Sequence, residues 1–251
     1  MSLVVALLWS AALASVGIEP AAVLAAASGK PASLGAPAVP LAFVTNAGQL
    51  DPRVHYYGRG YGYSVYFTQA EAVLALARRT DATGAEPSRV ALALGFVGAN
   101  AAARPEGARE QPAKINIFTG DDPAKWRSGL SMYRDVVYRD LWPGIDLVFS
   151  EASGRLKYEL IVKPGGSVHA IRLAYRGADG LAVDAGGNLQ VTTPLGVLTD
   201  ERPTTYQVID GRRVPVESRF VIAGDAATSY GFVTGAYDTS HALVIDRKSV
   251  V

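Results

Sequence analysis

Cysteine is absent from the 251 residues. That removes thiol nucleophiles, thiolate-ligated zinc, iron–sulfur clusters and a lipidated-cysteine anchor together. Histidine is scarce: His55, His169 and His241 are the three, and none has a second histidine at ligand spacing. Each is expected to be an ordinary surface or packing residue, and no metal site is assigned. An excess of charge of one sign is lacking too. Twenty-four Lys and Arg stand against 23 Asp and Glu, a net charge of +1, without the concentrated basic surface that nucleic acid or an anionic membrane selects. The Gly-x-Ser-x-Gly elbow of serine hydrolases occurs nowhere. The apolar run Leu3–Val16 is shorter than the ~20 residues of a membrane span.

What is present is a composition for folding, with 49% hydrophobic and 19% charged residues. The run Leu3–Val16 has the length of a signal-peptide core and is followed by small residues near Ala25–Ala27, so residues 1–27 are expected to be an export signal despite the missing basic start. Residues 28–40, rich in Pro, Ala, Ser and Gly, are expected to be a flexible lead-in.

From Leu41 onward, short β-branched and aromatic runs alternate with Gly, Pro, Asn and Asp, and no helical period persists. The clearest unit places apolar residues at 145, 147 and 149, then at 156, 158, 160 and 162, around a turn ending at Gly154. Two half-buried strands joined as a hairpin follow from that pattern. Strand pairs are also predicted around Asp184–Asn188 and around Asp210-Gly211, with Thr205–Ile209 before the latter and Val214–Phe220 after it. Tyr230–Thr234 and Ala242–Ile245 complete the second half; His55–Tyr57, Tyr63–Thr68, Val73–Ala77, Val90–Phe96 and Lys114–Phe118 make up the first. Thr68 and Glu71 fit a capping box, yet the flanking strands favour β for the Ala-rich segment after them. Gly98–Pro112 is predicted as a long loop. Asp122–Trp126 is predicted as a one-turn helix with Asp122 as N-cap and Pro123 first, turning Trp126 back onto the sheet.

The most suggestive patch is Tyr56-Tyr-Gly-Arg-Gly-Tyr-Gly-Tyr63 with Tyr66 and Phe67. Tyr57, Tyr61, Tyr63 and Tyr66 are its candidate ligand-binding residues, because tyrosines on an open sheet can stack on sugars or form a protein interface. Cross-strand packing of the same rings is the competing expectation. Its glycines lie between strands, where a phosphate-cradling loop needs a strand-to-helix turn. Paired carboxylates for glycoside hydrolysis would come from Asp135, Asp140, Asp146, Glu151 and Glu159. Glu159 alternates with Lys157 and Lys163 as a solvated face does, and Asp146 reads as an edge charge or a hydrogen-bonded structural acid. Asp121-Asp122 and Asp184–Asn188 lack the spaced acids of a calcium loop, so turn hydrogen bonds are expected there.

Several strings together resemble a known family. Phe43-Val-Thr-Asn46-Ala-Gly48-Gln49-Leu50, Lys114-Ile-Asn116-Ile-Phe118-Thr-Gly120-Asp-Asp122-Pro123-Ala-Lys125-Trp126, Tyr138, Pro143-Gly144-Ile145-Asp146-Leu147-Val148-Phe149 and Leu243-Val-Ile245-Asp246 are similar to an uncharacterised, DUF7948-like bacterial domain. That domain precedes SBBP-type β-propeller repeats in secreted or cell-surface proteins. The resemblance spans residues 41–246 and implies context without catalytic residues. Such members continue with a proline where this chain has Arg247-Lys-Ser-Val-Val251, so residues 247–251 are expected to be the artefactual end of a truncated reading frame.

The expected fold is all-β, with antiparallel sandwich-like sheets in one extended domain or two tightly joined halves meeting near Gly129–Trp142. The leading function is a non-catalytic extracellular or cell-surface module, structural or interacting, N-terminal to its own downstream propeller. It is secreted or lies at the outer surface or periplasm of a bacterium, needs no cofactor, and binds no nucleic acid. A cell-envelope protein or polysaccharide is the other candidate partner. The alternatives are a carbohydrate-binding module using the tyrosine patch and a glycan-active enzyme with paired carboxylates.

Overall fold

Period-2 apolar patterns cut by turn formers produce strands almost throughout residues 41–60, 62–78, 88–152, 154–223 and 228–250, the portions that the computed structural model describes. The strands are β1 (Phe43–Thr45), β2 (Tyr56–Arg59), β3 (Tyr63–Phe67), β4 (Glu71–Arg78), β5 (Ser88–Phe96), β6 (Pro105–Ile117), β7 (Arg127–Trp142), β8 (Ile145–Ala152), β9 (Arg155–Val162) and β10 (Leu173–Arg176). They continue as β11 (Gly180–Val183), β12 (Leu189–Thr193), β13 (Gly196–Asp200), β14 (Thr204–Ile209), β15 (Arg212–Val216), β16 (Ser218–Ala223), β17 (Ser229–Thr234) and β18 (Leu243–Val250). Two 3-10 turns, Pro123–Lys125 and Val168–Ala170, are the helical elements among the described residues. The expected signal and lead-in, residues 1–40, lie outside the described residues.

The strands form two antiparallel layers. One runs β7–β1–β2–β3–β4–β5–β10–β17–β16, the other β7–β8–β9–β18–β14–β15. A small third ladder, β11–β12–β13, joins the far end of β18. β7 belongs to both layers: Met132 and Tyr133 pair with β1, while Asp135–Trp142 pair with β8. The chain returns from the second layer to the first between β15 and β16, with Glu217 at the corner. Residues 129–142, expected to join two halves, are thus one strand bent from layer to layer. Its register shift between Tyr138 and Trp142 contains Asp140 at φ 44°, the kind of bulge that redirects a strand.

Between the layers lies a single core cluster that draws residues from Leu41 to Ile245. Phe67 meets Phe149 across the layers with ring centroids 5.0 Å apart, and Phe96 meets Tyr138 at 5.0 Å and Trp142 at 6.4 Å. Tyr158 and Tyr230 close the far end through a 2.7 Å hydroxyl–hydroxyl bond. Each such buried aromatic contributes on the order of 1.5–3 kcal/mol by leaving water. Arg247 on β18 is buried beneath Tyr158, with its guanidinium carbon 4.6 Å from the ring centroid, and is ion-paired to the buried Asp200.

The predicted hairpin forms as β8–β9, with Ile145, Leu147 and Phe149 opposite Val162, Leu160 and Tyr158. Asp210 and Gly211 both take positive φ, 50° and 74°, the type I′ geometry that suits a two-residue hairpin. The Ala-rich segment is strand β4, and Thr68 makes capping-box-like bonds within a tight turn, its Oγ1 accepting from the Glu71 amide at 3.2 Å. Two expectations are corrected. Residues 105–112 are not loop but the first part of β6, whose mostly exposed side chains lack the apolar alternation that marks a half-buried strand. Val214–Phe220 is not one strand but parts of β15 and β16, because the chain changes layer at Glu217.

Candidate functional site

The tyrosine segment does not form an open platform. Tyr57, Tyr63 and Tyr66 are 5%, 5% and 3% exposed, and Tyr61 lies outside the described residues. Tyr57 and Tyr66 are cross-strand partners on one face of β2–β3, in a second apolar cluster with Val44, Val54, Val73 and Leu130. Tyr63 points the other way, into the main core. The nearby glycines make room for that packing: a Cβ on Gly58 would meet Phe43 at 3.0 Å, and one on Gly60 would meet the Tyr63 ring at 2.2 Å. Burial pushes the hydroxyls of Tyr57 and Tyr66 up, and that of Tyr63 up to about 12. The physical reason is that both faces of β3 are covered, whereas a stacking platform needs one face in water.

Of the five candidate acids, Asp140 and Asp146 share one structural partnership through Lys163, and the other three stand in partnerships of their own. Asp135, buried on β7, is clasped by Arg109. Asp146 accepts from the Asp140 amide at 2.8 Å and from Lys163 at 2.7 Å, the structural-acid role, and Lys163 also holds Asp140 at 3.0 Å. Glu151 accepts from the Gly154 amide and shapes the β8–β9 turn. Glu159 pairs with Lys157 at 2.9 Å, and Lys157 bonds Asp246 at 2.9 Å. A further buried acid escaped the sequence reading: Glu71 receives both carboxylate contacts from Arg176, at 2.9 and 2.8 Å. Asp184 accepts from the Gly186 and Asn188 amides at 2.8 and 2.9 Å, and Asp122 accepts from the Ala124 amide at 3.0 Å. Both are turn bonds. His241 lies 3.0 Å from Asp238, His169 sits in the second 3-10 turn, and burial lowers the pKa of His55. Among the described residues no three His, Asp or Glu are grouped to hold a metal.

The loop after β1 is built around Asn46. Its amide donates to the carbonyls of Asp51 and Val54 at 2.9 and 2.8 Å, and its Oδ1 accepts from the amides of Gly48 and Leu50 at 3.2 and 3.1 Å. Gln49 returns to the Thr45 carbonyl at 2.8 Å. An open cleft of about 500 Å³ runs beside this loop toward Pro105. The Asn46 amide that borders it is already spent on the loop's own backbone.

Among the described residues, the most exposed aromatic group is at the tip of the β6–β7 ribbon. Phe118 is 62% exposed and Trp126 41%. The 3-10 turn between them forms where Asp122 and Pro123 predict it, but Trp126 does not turn back onto the sheet. Its ring meets Phe118 edge-on at 5.3 Å, and its Nε1 donates to the Gly120 carbonyl at 3.1 Å. Arg127 ties the base of this tip to the Asn46 loop, donating to the carbonyls of Ala47, Ala124 and Trp126 at 2.9, 2.7 and 2.9 Å. The alternation Ile115, Ile117 on the covered face and the Gly120-Asp-Asp-Pro123 turn hold the only sequence signal for this site: aromatics on either side of a tight turn stand at a ribbon's end.

A family model described as "Domain of unknown function (DUF7948)" matches residues 43–246. No curated protein and no solved structure matches the chain. The matched segment runs from the first residue of β1 into β18 and takes in both layers, the Asn46 loop and the aromatic tip. The chain therefore belongs to the DUF7948 domain family.

Proposed function

We propose that this chain is a non-catalytic β module of the bacterial cell exterior, acting N-terminal to a β-propeller as an interaction or spacing domain. One observation carries the reading: the candidate acids Asp135, Asp146 and Glu159 are each occupied by a different Arg or Lys. A hydrolase needs two carboxyls facing one substrate across ~5–10 Å, and these acids brace strands instead. The apolar run Leu3–Val16 supports export, and the resemblance to domains that precede propeller repeats supports the downstream partner.

Three measurements test this. Residues 1–40 fused to an alkaline phosphatase lacking its own signal should give activity only through export, and an inactive fusion would remove the exterior placement. Reducing-end release from a panel of polysaccharides should stay at background; turnover abolished by Asp146→Asn or Glu159→Gln would make the protein an enzyme. Long-read sequencing through the locus should show propeller repeats in frame, and a native stop codon there would remove the propeller.

A further inference from the structure

We infer that the ribbon tip is a binding site for a neutral polysaccharide, with a pyranose ring stacked on the open face of Trp126 and its edge against Phe118. The inference rests on the non-catalytic interaction reading and names its ligand class. Three properties of the tip lead to it.

The first is rigidity. Trp126 is held by its Nε1 bond to Gly120, by its backbone amide to the Pro123 carbonyl at 3.1 Å, and by the Arg127 guanidinium on its own carbonyl. The ring is set before any ligand arrives, so little side-chain entropy is lost on binding. Its one polar atom is satisfied, which leaves a π face whose partner must be a C–H surface or a cation. The second is size. Rings of this kind present roughly 150–250 Å² each, so 62% of one and 41% of the other leave roughly 200 Å² in water. A stable protein interface takes about 800 Å² per partner, whereas roughly 200 Å² matches one or two sugar rings. Around the rings stand Thr119, Asp121, Lys125 and Ser128, all exposed and polar, which suits hydroxyl-rich ligands and not an apolar anchor. The third is charge. From Glu110 to Arg127 the ribbon carries three acids (Glu110, Asp121, Asp122) and three bases (Lys114, Lys125, Arg127), a balance of zero. Anionic lipid and polyanions have no field to follow there.

The chain supplies its own probe. It holds three tryptophans; Trp142 is 1% exposed and bonded to the Val97 carbonyl at 3.0 Å, so in a full chain carrying Trp9→Phe the ligand-sensitive emission belongs to Trp126. Titration with soluble xylan, galactomannan, starch and β-glucan should give a saturable emission change with at least one of them. Trp126→Ala, with circular dichroism unchanged, should weaken retention on that polymer in affinity electrophoresis at least tenfold, and Phe118→Ala several-fold. Equal retention by Trp126→Ala, or no response to any neutral polymer, overturns the site. So does a response confined to anionic polysaccharides or to phosphatidylcholine–phosphatidylserine vesicles. Reducing ends released from the bound polymer would defeat the non-catalytic reading while leaving binding at Trp126 intact.

Discussion

Six tyrosine hydroxyls, those of Tyr57, Tyr63, Tyr66, Tyr138, Tyr175 and Tyr230, are raised above the usual phenol range, chiefly by burial. Folding holds these protons more tightly than the unfolded chain does, so their contribution to stability is complete below the unfolded value of about 10. It is lost as pH rises through the folded values, which for Tyr63 means the window up to about 12. Spectrophotometric titration should therefore show a fraction of the phenols ionising late and together with unfolding, and Tyr63→Phe should shallow the alkaline loss of stability. A full, early titration of every phenol in the folded protein would contradict the burial. That Tyr57, Tyr63 and Tyr66 lie on strands was legible in the sequence. Which of them met water was not, because Tyr57 and Tyr66 share a face whose cover includes Leu130, more than sixty residues away.

At the scale of elements, turn chemistry carried the most reliable information. Asp210-Gly211 and Asp122-Pro123 each produced the predicted turn, since left-handed φ and a capped first turn depend on the residues at the turn itself. Gly211 sits at φ 74° with open space around it, so Gly211→Ala meets no clash and should cost about 1–2 kcal/mol from backbone strain alone, read as a shift in the urea midpoint with an unchanged slope. Asp210→Asn, which tolerates the same φ, should be close to neutral. The first part of β6, residues 105–112, was illegible for the opposite reason, whereas Lys114–Phe118 was legible as strand. Among the described residues β6 pairs only with β7, its side chains are mostly exposed, and its register shifts between Glu110 and Lys114 around Pro112. A stretch whose side chains stand mostly in water leaves no period in the sequence, and the proline-bearing irregularity is what an edge strand uses to resist pairing with another chain.

For the whole molecule, the decisive fact is that both halves of the chain fill one core. Phe149 on β8 touches Phe67 on β3, Tyr138 on β7 and Tyr158 on β9, with centroids 5.0, 6.2 and 5.7 Å away. Phe149→Ala should cost about 3–5 kcal/mol and lower the melting temperature of the entire domain. Calorimetry should show a single transition whose calorimetric and van't Hoff enthalpies agree, and two resolved transitions would mean that the halves fold separately. The sequence by itself determined the all-β class, most strand positions and the type of several turns, because each depends on neighbours a few residues apart. Only the tertiary structure decided that β7 passes from one layer to the other, that both faces of β3 are covered, that the candidate acids are held in ion pairs and turn bonds, and that Phe118 and Trp126 stand in water. Those outcomes depend on which distant strands pack on which face. A period of two says which side chains share a face, and it carries no record of what will lie against it.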